Sequence, residues 1–466
     1  MPSNIARSSL LERLAGELRR DIASRRLPAG TRLPSVRMLA RERGVSAFTA
    51  AAVYERLVAS GEVEAQRGSG YFVAGGTRRA LPVRGRDVPA DSIWENRDDP
   101  QASVIRVDAG CGWLPSQWLP HEAIRAALRA CGRSAGLTLG YGGPHGLPAL
   151  REQFAMQLGG HGLDVEPDRI LTTQGASQAL DLIVRELLTA GDLVVVEDPT
   201  YPPLLDMLRA RGVEIVAIER TFEGPDTDQL KRLLKRRRPR LLFTNSVLHN
   251  PTGTTTTLPV AHRLLELAGA HDFLIVEDDI FAELAARPAA SLALLDQCQR
   301  VLLVQSVSKT IAPDLRVGFV AANQDLIRRL TRAKTRASLA SSAVMEEVVL
   351  HILTRGHYRR HLETVRRRLG EAQLAVQQAL EAHGVTLAYR PAGGMFLWAK
   401  LPVAMPSGKL WRLAAARGVL LAPGELFQTE GRVSASWRFN VAHADSPELY
   451  DFLDQVQREN DGGGST

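Results

Sequence analysis

The sequence predicts a multidomain protein in which a small helical head precedes a large α/β body. The chain has 466 residues, which is too long for one ordinary domain. Its charge is uneven, because residues 1–86 hold 16 arginines, no lysine and 7 acidic residues, whereas the whole chain carries +7. From about residue 104 onward, short apolar runs alternate with helical patterns. This alternation is typical of a mostly parallel sheet covered by helices.

The composition excludes membrane and secreted classes. Hydrophobic residues make up 45% and charged residues 23% of the chain, as in a globular protein with a large core. No apolar run approaches the ~18 residues of a membrane span, and Met1–Arg7 lacks the apolar region of a secretory signal. Cys111, Cys131 and Cys298 are odd in number and widely spaced, which favours a reducing compartment over disulfides or zinc ligation. We therefore expect a cytoplasmic protein without a metal site or a membrane partner.

The head carries the start and stop signals of three helices and a hairpin. Apolar residues recur at helical spacing in the first helix, which ends before Pro28. Ser35 and Ser46 are placed to cap the second and third helices, and Gly44 lies in the turn between these helices. Residues 62–73 follow as a β-hairpin. The pattern predicts a winged helix-turn-helix. The spaced apolar residues are Leu11, Leu14, Leu18 and Ile22.

Residues 8–74 resemble the winged helix-turn-helix of GntR-type regulators. The matching stretches are Leu27–Arg37, Tyr54–Leu57 and Gly68–Val73. The resemblance implies that the third helix enters the major groove of double-stranded DNA and that the wing touches the minor groove. The basic head independently predicts a polyanionic partner, and a protein partner is the alternative. The candidate DNA contacts by position are Arg32, Ser35, Arg37, Ser46, Thr49, Tyr54 and Arg67.

The third helix departs from the family pattern at its start. GntR-type proteins often carry arginines there, whereas this chain has Ala47 and Phe48, followed by alanines at 50–52. Bidentate reading of guanine from this face is therefore lost, a contact worth roughly 1–3 kcal/mol of discrimination. We expect phosphate anchoring to persist and base reading to be weak or unusual.

Residues 75–103 have the composition of a linker. They are rich in Arg, Asp, Pro and Gly and show no sustained periodicity. A flexible segment of this length has a root-mean-square span of roughly 30 Å, which is enough for the head to pack on either subunit of a dimer.

The body contains six candidate strands, and its chemically distinctive residues follow strand ends. Ligand sites in open α/β sheets gather at the carboxyl ends of the strands. We therefore expect one site at this edge. The candidate strands are Leu193–Glu197, Glu214–Ile218, Leu241–Asn245, Phe273–Glu277, Val301–Gln305 and Gly318–Ala321.

Lys309 follows two serines, Ser306 and Ser308, and precedes Arg316 by seven positions. A lysine amine can form a Schiff base with pyridoxal phosphate while hydroxyl groups and an arginine hold the phosphate. The run Thr172–Ser177 leaves a strand and opens a helix with small residues, so its backbone N–H groups can also close on a phosphate.

Four further residues match the other parts of such a cofactor. Tyr201 follows a strand where it can stack on a heteroaromatic ring, and Asn250 offers an amide to a phenolic oxygen. Asp278 ends a strongly apolar strand, where a carboxylate needs a cationic partner such as a pyridinium nitrogen. Arg438 offers a fork of donors to a substrate carboxylate.

Together and in this order, these residues resemble the fold-type-I, class I and II aminotransferases over roughly residues 105–460. By this resemblance the body is an α/β domain that depends on pyridoxal phosphate, with a large, mostly parallel sheet and a small C-terminal lobe. Lys309 forms the Schiff base, Asp278 pairs with the pyridine nitrogen, Asn250 pairs with the ring hydroxyl and Tyr201 stacks on the ring. The residues that the resemblance assigns to the phosphate are Ala176, Ser177, Ser306, Ser308 and Arg316.

The resemblance also assigns residues around the substrate. Arg438 takes the α-carboxylate, and Gly112 begins the substrate-side strip. Tyr141 matches a tyrosine that family members send across a dimer to the neighbour's phosphate. We therefore expect a homodimer.

A GntR-type head at 8–74, a linker at 75–103 and an aminotransferase-like body at 104–460 resemble the layout of MocR-type transcriptional regulators. This resemblance implies a regulator that binds an operator, senses a small amine, an amino acid or pyridoxal phosphate by aldimine exchange at Lys309, and acts at the nucleoid. The first alternative is an active aminotransferase with an accessory DNA-binding head. The second is a DNA-binding protein whose body no longer holds the cofactor.

One departure bears on these alternatives. Related proteins usually place a tyrosine two or three residues after the aspartate, where this chain has Ile280 and Phe281. Loss of that phenol should alter the protonation of the Schiff base and slow transamination. Sensing needs only exchange of amines, so the departure favours a regulator.

Overall fold

The computed structural model describes residues 14–22, 26–28, 30–59, 62–66, 70–73, 105–133, 140–286, 289, 291–391, 393–403, 405–429 and 434–462. The chain forms two compact units, Met1–Pro89 and Ala90–Thr466. The expected linker, 75–103, and the candidate DNA contact Arg67 lie outside the described residues.

The first unit is a winged helix-turn-helix, as the sequence predicts. Residues 14–22 form α1, followed by α2 (Val36–Arg43) and α3 (Ala47–Ala59). Ser35 caps α2 by accepting a hydrogen bond from the Met38 N–H at 3.3 Å, and Gly44 ends this helix with φ of +63°. Strands β1 (Val63–Gln66) and β2 (Gly70–Val73) pair antiparallel to form the wing. The core residues include Leu18, Leu39, Val53 and Leu57.

The second unit is an α/β body whose described strands form three sheets, of eight, four and two strands. Its strands are β3 (Val107–Asp108), β4 (Ile170–Thr173), β5 (Leu193–Asp198), β6 (Glu214–Thr221), β7 (Gly224–Pro225), β8 (Leu241–Thr244), β9 (Leu274–Asp278), β10 (Val301–Ser306), β11 (Gly318–Ala321), β12 (Thr386–Leu387), β13 (Phe396–Lys400), β14 (Val419–Leu420), β15 (Ala422–Pro423) and β16 (Ser436–Asn440).

Helices pack around the two larger sheets. They are α4 (His121–Arg133), α5 (Pro148–Gly160), α6 (Ala176–Leu187), α7 (Pro202–Arg211), α8 (Thr227–Leu234), α9 (Leu258–His271), α10 (Leu292–Asp296), α11 (Gln324–Ser338), α12 (Ala343–Thr354), α13 (His357–Ala382), α14 (Ser407–Ala416), α15 (Val441–Ala444) and α16 (Pro447–Gly462). Within the described ranges, no helix combines the length and the apolar character that a bilayer span requires.

The large sheet has eight strands in the order β4-β11-β10-β9-β8-β5-β6-β7. Its central pairs are parallel, whereas β11 and the short β7 run antiparallel to their neighbours. Central strands such as β5 are apolar on both faces because helices cover both sides, and Val194 to Val196 are fully buried. The mostly parallel sheet predicted from the sequence is confirmed. Its parallel strands deliver Asp278, Ser306 and the loops after β5 and β8 to one edge.

The small lobe is built on a four-stranded antiparallel sheet in the order β12-β13-β16-β15. Helices α13, α15 and α16 cover it with a separate apolar core that includes Val376, Leu397 and Phe452. Strand β16 carries Arg438 opposite Trp398 of β13. The small C-terminal lobe therefore supplies one side of the predicted site.

A buried polar cluster fixes the loop before α5. The Leu147 N–H donates to the Glu346 carboxylate at 2.6 Å, and the Thr172 hydroxyl donates to the same carboxylate at 2.5 Å. Lys334, which is fully buried, donates to the Thr172 carbonyl at 2.8 Å. Gly146 packs against Thr172 so closely that an added Cβ would lie 1.9 Å from the Thr172 Oγ1.

Gly146→Ala should therefore destabilise the body. Gly146 has φ of +97°, so an alanine adds backbone strain as well as the clash with Thr172, and we expect a loss of about 1–3 kcal/mol or more. Thermal unfolding measures this loss. Gly159→Ala is the control, because an added Cβ there meets nothing within 4 Å. Equal melting temperatures for the two variants would contradict the prediction.

Candidate functional site

Lys309 lies just beyond the end of β10, in a single 3-10 turn, Val307–Lys309. The Ser306 side chain caps this turn by accepting a hydrogen bond from the Ser308 N–H at 3.2 Å. The Lys309 Nζ donates to the Gly112 carbonyl at 2.7 Å, and the ring of Phe281 is centred 6.0 Å from it. The amine is thus held in place inside the body.

The environment of Lys309 favours the neutral, nucleophilic amine. Burial is the largest effect, and the positive charge of Arg438 adds to it; together they lower the pKa of Lys309 to about 8. A neutral amine is the form that condenses with an aldehyde.

Asp278, at the end of β9, is a half-buried acid that forms no ion pair with another described residue. Burial raises its pKa to about 7, opposed by a hydrogen bond from the Ile280 N–H and by the charge of Lys309. Its Oδ1 atom has no hydrogen-bond partner among the described residues. A buried carboxyl oxygen without a partner is unfavourable, so this position fits a ring nitrogen that carries a proton.

Asn250 and Arg438 hold each other. Arg438 donates to the Asn250 Oδ1 at 2.7 Å and to the Gly110 carbonyl at 2.5 Å. The Asn250 N–H donates to the Asn245 Oδ1 at 2.6 Å, which fixes the turn after β8. With its Oδ1 occupied by the guanidinium, the Asn250 amide keeps its Nδ2 as a donor.

Arg438 sits between two aromatic rings in the small lobe. Its guanidinium lies 4.6 Å from the centre of the Phe396 ring and 4.8 Å from that of Phe427. Burial lowers its pKa to about 10, which still leaves it charged at neutral pH. A buried arginine with apolar walls suits a carboxylate that carries an apolar substituent.

Five of the predicted residues line one cavity of about 110 Å³ between the large sheet and the small lobe. Tyr201, at the start of α7, contributes a ring whose hydroxyl is hydrogen bonded to Ser177. Burial raises the pKa of Tyr201, so its hydroxyl stays protonated. The five residues are Gly112, Tyr201, Asn250, Lys309 and Arg438.

The predicted phosphate residues meet at the start of α6. Gly175 precedes this helix with φ of +80°, and a Cβ there would lie 2.6 Å from the Arg316 Nη2. Arg316 donates to the Gln174 carbonyl at 3.0 Å, and the Ser306 and Ser308 hydroxyls lie 2.8 Å apart. Ala176 and Ser177 form the first turn of α6. Backbone N–H groups, hydroxyls and an arginine therefore converge, as phosphate binding requires.

Tyr141 does not lie with the other predicted site residues in this chain. It is 90% exposed and is not part of the cavity lining.

A buried ion-pair cluster, which was not predicted from the sequence, supports the loops of the site that follow β5 and β8. Arg220 donates to both oxygens of Glu197 at 3.2 and 3.3 Å, and His249 is 2.7 Å from the same carboxylate. Burial raises the pKa of Glu197, but the charges of Arg220 and His249 outweigh it and lower the pKa overall. Burial lowers the pKa of His249. Glu197 precedes the Tyr201 loop and His249 precedes Asn250, so the group ties these loops together.

The candidate DNA contacts of the head differ in their exposure to solvent. Arg32, Arg37, Ser35 and Ser46 are exposed, and Thr49 is half-buried. The Ser46 hydroxyl accepts the Thr49 N–H at 3.0 Å and lies 2.8 Å from the Thr49 hydroxyl, so Ser46 also caps α3. Arg67 is not among the described residues.

The structure contradicts the prediction that Tyr54 contacts DNA. Its side chain is 0% exposed, its hydroxyl donates to the Pro34 carbonyl at 2.6 Å, and its ring stacks on Tyr71 at 4.4 Å. It is a core residue of the head and is not available to DNA. The position matched a family stretch, but α3 turns this side chain inward.

Known families and proteins match both units. Residues 114–456 match the family Aminotransferase class I and II, and residues 10–73 match the bacterial regulatory proteins of the gntR family. The HTH-type transcriptional regulator YisV of Bacillus subtilis is 30% identical over 89% of this chain and 88% of its own length. The probable rhizopine catabolism regulatory protein MocR of Rhizobium meliloti is 29% identical over 87% of this chain and 85% of its own.

Solved structures support the same assignment for the body. The kynurenine aminotransferase of Pyrococcus horikoshii, crystallised with PMP, is 28% identical, with a TM-score of 0.74 over 84% of this chain and 98% of that protein.

The fold and the site define a fold-type-I aminotransferase-like body joined to a winged helix-turn-helix head. The chain belongs to the aminotransferase class I and II family and, within it, to the MocR-type transcriptional regulators that carry a GntR-type head.

Arg220→Ala should destabilise the body strongly, because it leaves Glu197 buried without its cation. We expect a loss of about 3–5 kcal/mol, measured by thermal unfolding. The control is Arg185→Ala, whose partner Asp181 lies 2.7 Å away but whose side chain is 68% exposed; we expect a loss below about 1 kcal/mol.

The double variant Arg220→Ala/Glu197→Gln should recover part of the stability, because it removes the uncompensated charge. If Arg220→Ala and the control Arg185→Ala melted at the same temperature, the buried pair of Arg220 and Glu197 would not have the supporting role assigned to it.

Proposed function

We propose that this regulator binds pyridoxal phosphate in the cavity around Lys309 and changes its DNA binding in response to a small amine, an amino acid or pyridoxal phosphate itself. The single observation that carries the proposal is the buried, unpartnered Oδ1 of Asp278, at the strand edge that also carries Lys309. The structure gives that oxygen no partner in the described chain, and a protonated ring nitrogen supplies one.

The other parts of the cofactor have matching residues. Asn250 offers its Nδ2 to the ring hydroxyl, and Tyr201 offers a ring face for stacking. The phosphate has the start of α6 together with the hydroxyls and the arginine described above, Ala176, Ser177, Ser306, Ser308 and Arg316. When bound, pyridoxal phosphate supplies an aldehyde that exchanges one amine for another.

The effector site is the part of the cavity between Gly112 and Arg438. Arg438 binds the effector's carboxylate, and the rings of Phe396 and Phe427 pack against the guanidinium. If an effector amine took the place of the Lys309 amine on bound pyridoxal phosphate, the freed Lys309 amine could donate to the Gly112 carbonyl, as it does in this structure. An effector shifts the equilibrium between DNA-binding states only by its difference in affinity for those states.

The proposed organisation of the protein completes this function. The DNA-binding head spans 8–74, the linker 75–103 and the sensing body 104–460. We further propose a homodimer, in which Tyr141, exposed in one chain, reaches the phosphate site of the partner. Such a dimer would bind two half-sites of an operator in the cytoplasm, at the nucleoid.

Phe281 favours a regulator over an active aminotransferase. Its ring is buried, packs edge-on against Phe396 and faces the Lys309 amine. It brings no hydroxyl to the cofactor position, so Asn250 is the side-chain donor left for the ring hydroxyl. Exchange of amines tolerates this loss, whereas rapid turnover depends on the protonation state of the reacting group.

The purified protein should show a visible absorption band with pyridoxal phosphate, and Lys309→Ala should abolish it. The matched control is Lys231→Ala, on the surface helix α8, which should keep the band. A band that shifts with one amine and stays shifted supports a sensor. A band that cycles when a 2-oxo acid is added and releases a new amino acid supports the aminotransferase, and no band in the unmodified protein would exclude the cofactor.

The rate of cofactor capture by the apoprotein should follow the pKa of Lys309. Only the neutral amine condenses, so the rate should rise with pH up to about 8, the lowered pKa, and level off above it. Stopped-flow absorption between pH 6 and 9.5 measures this profile. A rate that still climbed tenfold per pH unit above pH 9 would indicate an ordinary lysine, whose pKa is 10.5.

A further inference from the structure

Phe48 is the most exposed large apolar side chain of the described head. It is 85% exposed and is the second residue of α3, the helix that follows the turn of the helix-turn-helix. The buried residues of α3 are Ala50, Val53, Tyr54 and Leu57. At 100° per residue, Phe48 points directly away from this buried face, and Ala52 lies one turn behind it on the same side.

The first two turns of α3 carry no side chain that can make the bidentate contacts by which bases are told apart. Residues 44–54 contain no lysine, arginine, asparagine or glutamine. The hydroxyls of Ser46 and Thr49 are hydrogen bonded to each other, and Ser46 also caps the helix. The bidentate contacts that identify guanine and adenine are therefore absent from the first two turns of α3.

Apolar contact is the remaining way for this face to distinguish bases. In the major groove, thymine presents a C5-methyl group that alanine and phenylalanine side chains contact. The first residues of a recognition helix are those that reach base edges in helix-turn-helix proteins. Phe48 occupies this position and has the chemistry that recognises a methyl group.

The charge around this face favours DNA over a protein partner. Arg32, Arg37 and Arg41 are exposed in the segment and the helix that precede α3, and residues 1–86 hold 16 arginines against 7 acidic residues. Exposed arginines of a DNA-binding head can bind phosphates and so position the element that reads the bases.

We propose that Phe48 is the specificity-determining residue of the head and that it recognises the operator by packing on thymine methyl groups, with Ala52 as a secondary contact. This inference rests on the proposed DNA-binding function and adds the chemical class of base that the head reads.

The experiment begins with selection of an operator from random duplex DNA by the full-length protein loaded with pyridoxal phosphate. Each thymine of the selected operator is then replaced singly by uracil, which removes only the C5-methyl group. We expect one or two thymines per half-site at which the replacement weakens binding about fourfold, the effect of exposing one buried carbon group.

The variant Phe48→Ala should weaken binding to the thymine operator and should no longer distinguish thymine from uracil at those positions. Phe48 is exposed, so its removal leaves the core of the head intact. The matched control is Met38→Ala, another exposed apolar side chain of the head at 53%, which should retain the full discrimination.

Three results would overturn the inference, each in a different way. Equal binding of thymine and uracil operators by the unmodified protein would show that methyl groups are not read. Unchanged discrimination in Phe48→Ala would assign the reading to another residue. If Phe48→Ala abolished association between copies of the chain without thymine dependence, the ring would be a protein contact. Failure to select any duplex above background would instead contradict the proposed DNA-binding function itself.

Discussion

The functional architecture of the body depends on one unfavourable feature, a carboxyl group buried at the end of a central strand. Asp278 follows apolar residues of β9, and burial raises its pKa to about 7. A side chain in this position is compatible with folding because it can be protonated, but its Oδ1 has no hydrogen-bond partner in the described parts of the chain. A bound cation would stabilise the ionised carboxylate and give the Oδ1 atom a partner. The end of this strand thus favours a cationic ligand, and the surrounding loops define which ligand fits.

Parallel strands explain why the other residues lie where that ligand needs them. The carboxyl ends of β5, β8, β9 and β10 share one edge, so their loops bring Tyr201, Asn250, Asp278 and Lys309 together although they are far apart in sequence. Two of these loops are then held together by the buried cluster of Glu197, Arg220 and His249. The small lobe adds Arg438 from the opposite side. The site is therefore a product of sheet topology and one supporting ion pair.

Much of this site could be predicted from the sequence because its residues occur in short local patterns. Lys309 with its serines, and Asn250 and Asp278 with their strand ends, carry their chemistry within a few positions. Arg220 carries no such signal, since its partner Glu197 lies 23 residues away and only folding brings them together. Tyr54 shows the opposite error, because a matching local pattern did not reveal which way the helix turns its side chain. The exposure of Phe48 likewise depends on the packing of α3.

The hydrogen bond between Arg438 and Asn250 has a consequence for communication inside the body. One end of the Asn250 amide is held by the residue proposed for the effector's carboxylate, and the other end is free for the proposed ring hydroxyl. A carboxylate that drew the guanidinium towards itself would therefore loosen or reorient the amide proposed to contact the ring. By thermodynamic linkage the influence is mutual, so the protonation state of the ring must also alter the affinity for the carboxylate. In the proposed sensor, a single side-chain amide would thus couple the two halves of the cavity before any covalent exchange takes place.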